Sequence, residues 1–120
     1  MIACRSAAEI AAAVAGGEST ALAETEAVLA QVAAREESVK AWRFLDPDLA
    51  RAKARAVDAL PLKGPLAGAG VGLKDIIDTA DLPTENGAET DKGRQPTQDA
   101  TVVTRLMAAG AVIIGKTVTT

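Results

Sequence analysis

Two apolar runs, Val71 to Ile77 and Ala111 to Ile114, constrain this chain more than any other feature. Both read as strands, the first carrying Lys74-Asp75 and the second with little polar relief. A loop from Thr79 to Pro96 lies between them, rich in Asp, Asn, Gly, Pro and Thr. Asp99 then offers a cap for a helix whose apolar residues are Val102, Val103, Leu106 and Met107, with Gly110 as its stop. Strand, long loop, helix and strand in that order form a crossover unit, which implies two parallel strands. Parallel strands are buried on both faces by helices.

The first 60 residues are expected to be a helical lead-in with one short strand. Ser6 and Glu9 have capping-box spacing, so a helix should run through Val14 and stop at Gly16-Gly17. Ser19 or Thr20 can cap a second helix that fades near Arg35 to Glu37. Val39 to Leu45 reads as a short strand. Asp46-Pro47-Asp48 opens a third helix, which ends before Pro61. Its bases Arg51, Lys53 and Arg55 suit a solvated face. The expected fold class is α/β, with N-terminal helices plus the first strands of a mixed, largely parallel sheet. Thr117 to Thr120 carry no signal that finishes an element, so residues 1–120 are expected to be the N-terminal portion of one larger domain, with 1–60 as the lead-in and 61–120 as the strand-loop-helix-strand unit.

Composition removes much of the functional menu. The chain has no histidine, so no Ser-His-Asp or Cys-His arrangement can form within it. One cysteine and no histidine cannot build a structural zinc site, and Cys4 is either free or bonded to another molecule. A net charge of −3 and 2% aromatic residues argue against a nucleic-acid surface. No run approaches the ~20 apolar residues of a membrane helix, and the alanine-rich start is too weakly apolar for a signal core. A cytoplasmic protein that touches neither membrane nor nucleic acid is expected. Open strand edges make self-association or docking on a partner a further expectation.

Two glycine motifs invite a nucleotide and do not fit one well. Gly110 to Thr117 matches G-x-x-x-x-G-K-T letter for letter. A phosphate loop needs a strand before it, a loop within it and a helix after it. Here a helix precedes, and Ala-Val-Ile-Ile suits a strand, so nucleotide binding stands only as a lesser alternative. Gly68 to Gly72 precede their strand, whereas a dinucleotide fingerprint follows one, so close backbone approach or a tight turn explains them better. Lys74 has two readings. It is either a strand-end lysine paired with Asp75 or Asp78, or a desolvated amine able to act as a base.

Gly64 to Thr84, with Lys74-Asp75 at its centre, resembles the first conserved block of the amidase signature family. Asp99 to Thr117 resembles the block that follows it, and Ala41 to Ala50 resembles the family's N-terminal region. The resemblance covers nearly the whole chain and implies an amidase-type domain. That family hydrolyses or transfers amides with a nucleophilic serine, a second serine preceded by a cis peptide bond, and a lysine. By this resemblance Lys74 is the catalytic lysine, acting as general base and acid on a small-molecule amide, with no metal or organic cofactor. Ala67, Ala69-Gly70 and Asn86 depart from the family's usual residues. The family's serines lie in a Gly/Ser-rich segment downstream, whereas this chain has only Ser6, Ser19 and Ser38. The 120 residues alone are therefore expected to be inactive.

Overall fold

The computed structural model describes residues 5–119; Cys4 lies outside them. Helix α1, Ala7–Ala15, begins at the full capping box of Ser6 and Glu9 and ends at Gly16. Helix α2, Ala21–Val39, is capped by the Thr20 hydroxyl, which accepts from the Ala23 N–H. It runs beyond the expected fade at Glu37, and Lys40 ends it in a left-handed turn at φ 54°. The Glu36 carboxylate then accepts from the N–H groups of Ala41 and Trp42 at 2.8 and 2.9 Å. That clasp turns the chain directly into strand β1, Trp42–Phe44.

Helix α3, Pro47–Asp58, starts as the Asp-Pro-Asp signal predicts, with the Asp46 carboxylate accepting from the N–H groups of Asp48 and Leu49. Its last residue has a second task. The Asp58 carboxylate accepts from Ala21 and Leu22 N–H at 2.7 and 3.0 Å, so the end of α3 caps the start of α2. Lys63 closes the same junction by donating to the carbonyls of Val57, Asp58 and Leu60.

Strand β2 is Gly70–Lys74 and strand β3 is Val112–Thr117. They pair in parallel, as the crossover predicts, and β1 pairs antiparallel on the other side of β3, giving the order β1-β3-β2. The mixed sheet is thus built around β3, whose first five residues are buried. One face packs Val112 and Ile114 against Ala54, Val57, Ala21 and Val14; the other packs Ile113 and Leu73 against Val103 of helix α4, Thr101–Ala108. Helices therefore cover both faces, as parallel pairing requires. Among the described residues no helix is long and apolar enough to cross a membrane.

The glycines of the second half answer to close packing. A Cβ on Gly115 would sit 2.5 Å from the Phe44 carbonyl oxygen, and one on Gly72 would sit 2.9 Å from the Trp42 ring. The indole of Trp42 thus lies across two bare glycine positions on neighbouring strands.

Three further expectations change. Val71 to Ile77 is not strand throughout: β2 stops at Lys74, and the chain turns at Asp75 and Ile76, with Ile76 exposed. Asp99 does not cap α4; its carboxylate accepts from Ala80 N–H at 2.8 Å, and Ala100 holds the cap position without a side-chain bond. The third concerns which lysine is buried.

Candidate active site

Lys74 is the last residue of β2, and its exposed side chain lies at the carboxyl end of a parallel strand. In open α/β sheets that end is where ligands bind. The expectation of a desolvated lysine in β2 is not met among the described residues, because β2 is an outer strand of the three and alternation buries Leu73 rather than its neighbour. The pairing reading fails as well. Asp75 is bound to Lys116, Asp78 is bound to Arg94, and Lys74 forms no ion pair among the described residues.

The buried lysine is Lys116, on the central strand. Its side chain is 0% exposed and that of its partner Asp75 is 1% exposed. The ammonium donates to Asp75 Oδ1 at 3.3 Å, the Pro83 carbonyl at 3.0 Å and Thr84 Oγ1 at 2.6 Å. Three donors meet three acceptors, the arrangement a buried ammonium needs. Burial pushes Lys116 below the ordinary lysine value, opposed by its hydrogen bond to Asp75 and by that carboxylate's charge. The sequence did carry a signal for this residue. A lysine two residues beyond the apolar run Ala111 to Ile114, in a continuing buried strand, requires partners. In the structure 112–117 is strand, so its backbone groups serve β1 and β2 and cradle no phosphate.

The stretch after Lys74 is tied down by the same groups. The Asp75 carboxylate also accepts from Glu85 N–H, 3.2 Å at the nearer oxygen, and the Asp75 carbonyl accepts from Asn86 N–H at 3.0 Å. Asn86, which departs from the family's usual residue, sits at φ 57°, a left-handed position that asparagine tolerates better than an aromatic. Arg94 forks onto Asp78 at 2.8 and 3.1 Å and holds its carboxyl below the usual carboxylate range. The Gly93 N–H, helped by Arg43, does the same for Glu85. Gln95 donates to the carbonyls of Thr79, Leu82 and Pro96. The long connection is therefore pinned rather than loose. All three serines are engaged locally: Ser6 in its cap, Ser19 to Glu24, and Ser38 to the Arg35 carbonyl.

A family model described as Amidase matches residues 23–120. The chain belongs to the amidase family. It is 49% identical over 115 residues to a subunit of the glutamyl-tRNA(Gln) amidotransferase of Streptomyces coelicolor, a match covering 92% of this chain and 23% of that relative. Among solved structures, the peptide amidase of Stenotrophomonas maltophilia is 35% identical with a TM-score of 0.86, over 96% of this chain and 25% of that one. An inhibitor-bound vestigial protein complex, connected with the origins of an s-triazine catabolic enzyme, gives a TM-score of 0.91 at 29% identity, over 97% of this chain and 26% of that one. The chain spans about a quarter of the length of the relatives it matches.

Proposed function

We propose that these residues carry the general base of an amide-cleaving enzyme and that Lys74 is that base. The observation that supports the reading is the position of Lys74: an amine at the carboxyl end of a parallel strand, with both nearby acids held by other cations. In the reaction, the Lys74 amine, which the rest of the enzyme would desolvate by covering this strand end, takes a proton from a bridging serine, which takes one from the nucleophilic serine as it attacks the amide carbonyl. The proton returns to the leaving nitrogen by the same path, and backbone N–H groups near the nucleophile hold the oxyanion. By resemblance to the family, whose serines lie downstream of the lysine block, both serines belong to a segment outside residues 1–120, since Ser6, Ser19 and Ser38 all precede that block. The complete enzyme is thus these residues joined to that serine-bearing segment, acting on a small carboxamide.

A second form of the reading is the amidotransferase one, favoured by 49% identity to the amidotransferase relative, compared with 35% to the peptide amidase. There the acyl chemistry at Lys74 is the same and the released ammonia is passed on.

The isolated 120-residue chain is expected to release no ammonia from simple carboxamides. Turnover by that chain, abolished by Lys74→Met, would show that it holds a nucleophile the proposal places elsewhere.

A further inference from the structure

Lys116 presents an energetic puzzle. A fully buried ion pair is weak support for stability, since desolvating both charges offsets most of their attraction, and an apolar pair of similar volume can do as well. The side chain therefore calls for another reason, and its three acceptors supply one. Asp75, Pro83 and Thr84 all lie on the segment that leaves Lys74, one, nine and ten residues beyond it.

The junction is closed from several sides. The Asp75 N–H donates to the Thr117 carbonyl at 2.9 Å, joining the turn to the residue after Lys116. The Lys74 carbonyl accepts from Ile76 and Ile77 N–H at 2.7 and 3.0 Å. The Asp75 carboxylate and carbonyl receive Glu85 and Asn86 N–H, and Thr84 Oγ1 reaches back to the Ile77 carbonyl at 3.3 Å. The end of β3, the turn 74–77 and the segment 83–86 are thus held as one piece around a single ammonium. Nothing in this junction binds the Lys74 side chain itself.

We infer that Lys116 is a positioning residue for Lys74, an inference that rests on the role proposed for Lys74 above. It holds the turn that follows Lys74 against the central strand, so that the amine is presented from one fixed backbone position. It also takes the carboxylate of Asp75, the acid next to Lys74 in sequence, and leaves Lys74 free of that partner. Lys116 itself touches no reacting atom.

The test uses the complete enzyme with four variants: Lys74→Met, Lys116→Met, Thr84→Val and Thr84→Ser. Thr84→Val deletes the 2.6 Å acceptor at nearly constant volume, and Thr84→Ser restores it. Small misplacements of a catalytic group cost large factors in rate, so Lys116→Met and Thr84→Val are expected to lower kcat by about tenfold or more with KM within about twofold. Thr84→Ser should keep kcat near wild type even if it lowers Tm. Should Lys116→Met fail to accumulate as folded protein, the Thr84 pair decides alone. Folded Thr84→Val with wild-type kcat overturns the inference, and so does an equal loss of kcat in the Val and Ser variants. The Lys74→Met control separates the two claims. An inert Lys74→Met beside a fully active Thr84→Val refutes only the role of Lys116, whereas an active Lys74→Met refutes both.

Discussion

A carboxylate that accepts a backbone N–H and faces a guanidinium titrates differently folded and unfolded, and Glu85 is such a group. It receives Gly93 N–H and lies against Arg43, with its side chain 10% exposed. These partners hold its carboxyl below the usual value of 4.5. A depressed acid contributes stability above its unfolded value, and that contribution disappears as pH falls through the folded one. Glu85→Gln should therefore lower stability at pH 7, yet flatten the loss of stability between about pH 4.5 and the lower folded value. Urea midpoints from pH 7 down to 3 read this directly, and a variant that keeps the wild-type acid slope contradicts the assignment. Lys116 teaches a related lesson about single residues. Its letter in a glycine-lysine-threonine string resembled a phosphate ligand, but its environment is a buried three-acceptor junction.

At the scale of elements, local signals worked where the bonds they rely on are local. Ser6 with Glu9, and Asp46 with Pro47, start their helices as written, because each cap closes within four residues. They misled where tertiary partners compete. Asp99 has the right type and place for a cap, yet it holds the Ala80 N–H across the long connection. Asp75 to Ile77 have strand composition, yet Lys116, Glu85 and Thr117 draw Asp75 into a turn. The capping of α2 by Asp58 was invisible in sequence for the same reason, since 37 residues separate Asp58 from Ala21. Asp58→Ala frees two N–H groups at a helix start and should lower stability by about 1–2 kcal/mol. A thermal or urea unfolding curve checks it, and an unchanged midpoint would show that Thr20 caps α2 alone.

At the scale of the molecule, the order of two apolar runs, a helix and a long connection was enough to predict a parallel pair buried on both sides. The structure has that pair, with β1 added antiparallel. The crossover was legible because chain direction and connection length dictate it. The site was less legible. Sequence could place Lys74 at a strand but could not tell which of two lysines the sheet would bury. That depends on β3 being central and β2 outer, a property of the assembled sheet. The outcome is a division of labour between the two, with Lys116 held inside and Lys74 presented at a strand end. Amide turnover by the complete enzyme with Lys74→Met tests that account most directly. Loss of a general base predicts a fall in kcat of about 10³-fold, with the fold intact by circular dichroism. A folded Lys74→Met enzyme with near-normal turnover would contradict it.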